Sequence, residues 1–166
     1  MRDPITVLKS LSEKPETYEF ERLYRNLYNP EFYLLGYKNI AISQGSMTAG
    51  TDGRTIDEMS MGRIEAIIAS LKNHSYQPNP ARRTYIAKKN STKKRPLGIP
   101  STDDKLIQEV VRMILESIYE GSFSHNSHGF RAGKSCHAAL KQIKNTYTGI
   151  NWFVEGDIKA CFGAPG

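Results

Sequence analysis

The sequence predicts an α/β fold, and three observations predict it. Apolar residues recur at helical spacing in several separate stretches, most clearly between positions 106 and 119. Two short β-type runs flank a basic turn between positions 82 and 99. A last apolar run, residues 151–158, reads as a short strand with an acid near its end. A chain of 166 residues, 39% of them hydrophobic, can bury one compact core, or a core plus an arm.

Residues 1–20 are polar and mixed, with Leu8, Leu11, Tyr18 and Phe20 as anchors. Leu23, Leu27 and Tyr28 give a helical face ending at Asn29-Pro30, where Asn29 is placed to cap a new helix and Pro30 to open it. Phe32, Tyr33, Leu34, Leu35 and Tyr37 supply its apolar face. From 43 to 57 the pattern breaks. Gly45, Gly50 and Gly53 predict an ordered or semi-ordered loop, because glycine supplies backbone angles that other residues resist. Ser60 is placed to cap a helix with Ile64, Ile67, Ile68 and Leu71 on one face, closed by Tyr76-Gln77-Pro78. A hairpin follows, with arms at 83–88 and 94–99 and a turn at 89–93. Pro96 confines its arm to a sheet edge or an irregular segment. Ser101, Thr102 and Asp104 carry the capping chemistry of the long helix that holds Leu106, Ile107, Val110, Val111, Ile114, Leu115, Ile118 and Tyr119. A loop rich in Gly, Ser and His spans 121–134, and Ser135 caps a helix through Ala138, Leu140 and Ile143.

The net charge is +6, so the expected partner is a polyanion, and the charge is clustered. Between 82 and 95 stand Arg82, Arg83, Lys88, Lys89, Lys93, Lys94 and Arg95, with no acid among them. Two cysteines, Cys136 and Cys161, do not make a disulfide framework, so a reduced, intracellular setting is the default. The first residues lack the apolar run of a secretory signal, and no stretch approaches the roughly 20 apolar residues that span a bilayer. A soluble chain with no membrane partner, in a bacterial cytoplasm or an organelle, is the expectation.

Taken alone, each candidate site has an ordinary reading beside a chemical one. Asp157 ends an apolar strand; it is a fitting carboxylate for a hard cation, yet an Asp there is more often a turn former. The basic hairpin suits phosphate recognition, or is simply a solvated face. Asp103-Asp104 opens a helix, where acids meet the helix dipole favourably. His125, His128, Cys136 and His137 have irregular spacing for zinc, and adjacent Cys-His chelates one tetrahedral ion poorly. Tyr24, Arg25, Tyr28 and Tyr37 could meet structured RNA or pack the N-terminal helices.

Three stretches in order resemble the reverse transcriptase domain of group II intron maturases. The first is the glycine-rich loop ending Ala49-Gly50-Thr51-Asp52-Gly53-Arg54-Thr55-Ile56-Asp57. The second runs from Tyr85-Ile86-Ala87-Lys88-Lys89 through Lys94-Arg95-Pro96-Leu97-Gly98-Ile99-Pro100 into the helix with Asp104-Lys105 and Gln108-Glu109. The third is Ser127-His128-Gly129-Phe130-Arg131-Ala132-Gly133-Lys134-Ser135, leading to Glu155-Gly156-Asp157-Ile158-Lys159-Ala160-Cys161-Phe162. The ordered set covers roughly residues 20 to 162.

The resemblance implies a reverse-transcriptase fingers subdomain. Its parts would be an N-terminal extension with a template-lid loop over 1–60, fingers over 61–150 and a first palm strand over 151–162. Residues 163–166 then read as a tail foreign to the family. It implies a parent RNA-directed DNA polymerase that also helps its intron splice. The partners would be group II intron RNA, an RNA template, primer DNA and dNTP, with Mg²⁺ as cofactor and self-association left open. Asp157 takes the place of the first metal ligand and catalytic carboxylate. Lys88 and Arg95 would grip the triphosphate, Ile158 would lend backbone to that pocket, and Phe162 would screen the sugar 2′-position. Arg25, Arg54, Arg82, Arg83, Lys89, Lys93 and Arg131 would meet RNA. The chain departs from the family after Phe162, where Gly163 replaces the usual Asp, and it lacks the Tyr/Phe-x-Asp-Asp hairpin. Residues 1–166 alone are therefore expected to be inactive. A reverse transcriptase of another bacterial retroelement and a stand-alone RNA-binding module are the competing readings.

Overall fold

The computed structural model describes residues 2–87, 92 and 94–158. These divide into two units between Ser122 and Phe123. The elements in order are α1 (Pro4–Ser12), a 3-10 turn (Leu23–Tyr28), α2 (Pro30–Ala41), a short 3-10 turn (Ile56–Glu58), α3 (Met61–Lys72), β1 (Arg82–Ala87), β2 (Lys94–Ile99), α4 (Thr102–Tyr119) and α5 (Cys136–Thr146). The chain is thus a mixed α/β protein. Among the described residues no helix is long and apolar enough to cross a membrane.

The first unit is built by local capping and one core. Asn29 accepts from the Glu31 amide with Pro30 opening α2, Ser60 accepts from the Arg63 amide, and Ser101 accepts from the Asp104 amide. Each supplies an acceptor to a backbone N–H that the helix cannot pair internally, worth about 1 kcal/mol. The core joins Leu27, Phe32, Tyr33, four residues of α3 (Ile64, Ile67, Ile68, Leu71) and four of α4 (Leu106, Val110, Met113, Ile114). Burying side chains of this size contributes roughly 1.5–3 kcal/mol each. Tyr33 is fully buried, and its hydroxyl donates to the Leu27 carbonyl at 2.8 Å. Burial pushes its pKa well above the usual phenol value.

Residues 1–20, read as polar with Leu8 and Leu11 among the anchors, hold a helix: Asp3 caps α1 by accepting from the Thr6 amide at 2.9 Å, and Val7, Leu8 and Leu11 pack against the core. One sequence expectation changes here. Leu23–Tyr28 is a 3-10 turn rather than an α-helix, entered from Arg22 at φ 60°. The hairpin forms as expected, antiparallel, with Arg82 opposite Ile99 and Ala87 opposite Lys94. Both strands are edges of a two-stranded sheet, so the missing N–H of Pro96 costs little.

In the second unit Ser135 caps α5 by accepting from the Ala138 amide at 3.1 Å. No residue of α5 is buried, and Leu140 and Ile143 stand exposed. Residues 151–158 are not a strand, contrary to the sequence reading. A strand persists only on a hydrogen-bonded neighbour, and among the described residues none pairs with this segment. Trp152, Phe153 and Val154 are accordingly almost fully exposed.

Candidate nucleic-acid interface

The glycine-rich loop is held from several sides by the first unit. Ile56 is buried, and the Gly50 backbone lies directly on α4's entry. A Cβ at Gly50 would sit 2.6 Å from Ser101 Cα and 2.7 Å from the Pro100 oxygen. Arg82 Nε donates to the Ala49 carbonyl at 3.0 Å, and Thr51 Oγ1 donates to the Pro80 carbonyl at 2.8 Å. Thr102 Oγ1 donates to the Arg54 carbonyl at 2.9 Å. The Lys105 ammonium donates to the carbonyls of Gly45 and Thr48. Burial holds the Lys105 pKa below the usual lysine value.

Near the loop lie Asp103 and Asp104, which the sequence reading assigned to the start of the long helix, by its capping chemistry and its dipole. Asp104 is buried, and its carboxylate accepts from the Tyr76 hydroxyl at 2.7 Å, the Asn79 amide at 3.1 Å and the Ser101 hydroxyl. Burial first, then the bond to Asp104, pushes the Tyr76 pKa far above the phenol range. Arg63 reaches Asp103 at 2.6 Å through Nε and Asp52 at 3.6 Å through Nη2. The angles are not those of hydrogen bonds, so this is an ion pair rather than a forked one. It ties α3, the loop and α4 together.

The hairpin stands beside this loop through Arg82. Cross-strand register puts Arg82, Thr84, Ile86, Arg95, Leu97 and Ile99 on one face, and Arg83, Tyr85, Lys94 and Pro96 on the other. Arg82, Arg83, Lys94 and Arg95 are all exposed, as are Tyr85 and Leu97. Both faces therefore mix cations with open apolar surface. Arg54 is exposed on the loop and Arg25 on the first 3-10 turn. Lys88, Lys89, Lys93 and Phe162 lie outside the described residues.

In the second unit the Arg131 guanidinium turns inward. Its Nη1 donates to the carbonyls of Ser124 and Ser127, each at 2.9 Å, and the group lies 5.1 Å from the Phe123 ring centre. It braces its own loop, and Phe130 beside it is fully exposed at φ 58°. His128 Nε2 lies 2.7 Å from Gln142 Oε1. Asp157 and Ile158 are exposed. Asp157 offers the hard oxygen that Mg²⁺ prefers, but one carboxylate is not a two-metal site. Among the described residues no three His, Cys, Asp or Glu side chains gather to hold a metal.

Sequence reasoning missed Gly50, Arg63 and Lys105 as the groups that fix the loop. Asp104-Lys105 was visible as part of a motif, but nothing local says that the lysine turns back across 57 residues to Thr48.

Residues 86–164 match the family model for reverse transcriptase (RNA-dependent DNA polymerase). The group II intron-encoded protein LtrA of Lactococcus lactis subsp. cremoris is 51% identical over 165 residues, 98% of this chain and 28% of that protein. An uncharacterized 91 kDa protein in the cob intron of Schizosaccharomyces pombe is 43% identical over 166 residues, 97% of this chain and 20% of its own length. Nuclear intron maturase 1, mitochondrial, of Arabidopsis thaliana is 41% identical over 59 residues, 36% of this chain and 8% of its own. This chain therefore spans about a quarter of the first of these relatives. Residues 86–164 of this chain thus match the reverse transcriptase family, and 98% of its length is similar to part of a group II intron-encoded protein.

Proposed function

We propose that this stretch is the fingers side and N-terminal extension of an RNA-directed DNA polymerase that also acts as an intron maturase. The observation that carries it is the joining of an exposed basic hairpin to a pinned glycine-rich loop, in a chain 51% identical to LtrA over 98% of its length. Lys88 and Arg95 grip the triphosphate of the incoming dNTP, the guanidinium offering a fork and the ammonium a point charge. Arg54, Arg82, Arg83, Lys89 and Lys93 hold template phosphates, and Arg25 meets intron RNA on the N-terminal side. Arg131 acts indirectly, by shaping the loop that carries Phe130. Asp157 supplies one carboxylate toward Mg²⁺, whose chemistry is to activate the primer 3′-hydroxyl and neutralise the triphosphate. Ile158 lends its backbone to the same pocket and Phe162 screens the sugar 2′-position. The partners are group II intron RNA, RNA template, primer DNA and dNTP.

Primer extension on an RNA template tests the reading. In a full-length protein carrying this stretch, Asp157→Ala abolishes extension and leaves RNA affinity nearly intact. Arg95→Lys keeps charge but loses the fork, and raises the dNTP KM more than Lys93→Arg does. Residues 1–166 alone extend no primer in Mg²⁺, because one carboxylate cannot hold two metals. Full activity of Asp157→Ala, or extension by the isolated stretch, overturns the assignment.

A further inference from the structure

The loop's glycines fall into two classes. Gly50 is pressed inward against backbone, while a Cβ at Gly45 or Gly53 would meet nothing within 4 Å. Gly53 also sits at φ 70°, in the region where only glycine is unstrained. The loop thus has an inner face glued to α4 and an outer face of bare backbone, beside exposed Arg54 and next to Arg82. Bare amides beside cations suit the phosphates of a polynucleotide. Such a surface binds well only if it is ordered beforehand, since ordering it on contact would consume affinity.

Lys105 is the group that does this ordering. A surface lysine ordinarily leaves its ammonium in water, and fixing it forfeits rotamer freedom. Here the ammonium is drawn under the loop onto the Gly45 and Thr48 carbonyls, bridging 60 and 57 residues of chain. These two carbonyls flank the part of the loop that carries Met47, whose side chain is half exposed. The remaining anchors (Arg82, Thr51, Thr102 and the Arg63 pair) hold residues 49–54. Among the described residues, Lys105 is the one whose side chain bonds to the stretch before them from outside the loop. We propose that Lys105 is a positioning residue that holds the 45–48 end of the 45–53 loop, so that the loop stands as a preformed, phosphate-facing surface for the RNA template. This rests on the polymerase reading above.

The test compares Lys105→Met, which keeps the length and removes the charge, with Lys105→Arg, which keeps donors. Three readouts apply: amide hydrogen exchange in this chain, anisotropy with a labelled single-stranded RNA, and template-primer kinetics in the full-length protein. Charge-assisted bonds of this kind are worth enough that Lys105→Met should speed exchange at 45–49 by about tenfold or more, with α3 and the core of α4 unchanged. It should raise the template KM by about tenfold while kcat stays within about twofold, and Lys105→Arg should restore most of the loss. Unchanged exchange, or a loosened loop with unchanged RNA affinity, overturns the proposal. So does a parallel loss of kcat, KM and core protection, which marks a merely structural lysine. Failure of the polymerase reading shows separately, as no extension by the unsubstituted full-length protein. Exchange and anisotropy on this chain then still decide the role of Lys105.

Discussion

Adding one methyl group at Gly50 should detach the loop that the proposed template surface depends on. The Ala Cβ would lie 2.6 Å from Ser101 Cα, 2.7 Å from Ser101 N and 2.7 Å from the Pro100 oxygen. Ordinary contact begins at about 3.5 Å, so the atom must displace backbone on two sides by most of an ångström. Backbone at a helix entry yields poorly, because Ser101 also caps α4 and bonds to Asp104. Overpacking costs of this kind are about 1–3 kcal/mol, and the upper part of that range applies here. For a unit of this size that is a fall in Tm of roughly 5–12 °C. Urea unfolding followed by far-UV circular dichroism measures it. The control is Gly62→Ala in the first turn of α3, where a Cβ meets nothing within 4 Å. That change should leave stability unchanged or raise it by up to about 1 kcal/mol. If Gly50→Ala unfolds at the same midpoint as the parent, the loop is not docked on Pro100 and Ser101, and the argument for a preformed surface fails with it.

Tyr76→Phe removes one of the donors to the buried Asp104 carboxylate and should cost about 1.5–3 kcal/mol at neutral pH. Because the folded Tyr76 pKa is raised above its ordinary 10.0, its contribution is present below pH 10 and lost as pH rises further. The Phe variant should therefore show a shallower alkaline fall in urea midpoint; an identical alkaline limb would remove Tyr76 as its cause. Glu109 is held below its ordinary 4.5 by hydrogen bonds from Arg112 first and Asn39 second. That stability is present above pH 4.5 and fades as pH falls through the lower folded value, so Glu109→Gln should flatten the acid limb by no more than about 1 kcal/mol. RNA affinity of this chain should fall steeply with salt. Replacing Arg54 and Arg83 together by Ala should reduce the log–log slope by roughly 1.4–1.8, two phosphates' worth, and an unchanged slope would place phosphate contact elsewhere.

What the residues determined by themselves is what local chemistry closes within one turn. Asn29, Ser60, Ser101 and Ser135 each cap the helix they precede, because a side-chain oxygen needs only the N–H two or three residues on. The spacing of Ile64, Ile67, Ile68 and Leu71, and of Leu106, Val110 and Ile114, made the core legible for the same reason: the helix period alone decides which side chains share a face. The resemblance and the basic hairpin were legible too, as short ordered motifs. Even here a local signal went unread, since Asp3-Pro4 opens α1 by the same chemistry as Asn29-Pro30 opens α2. Tertiary structure alone decided the rest. Lys105 meets Thr48, Arg63 meets Asp103 and Gly50 lies on Ser101 across separations no local rule spans. The resemblance set Arg131 against RNA, and only its folded loop shows the guanidinium donating to the Ser124 and Ser127 carbonyls. Residues 151–158 have the composition of a strand, but composition does not make a ladder. A strand takes its backbone hydrogen bonds from a neighbour, and without one among the described residues Trp152, Phe153 and Val154 stay in solvent.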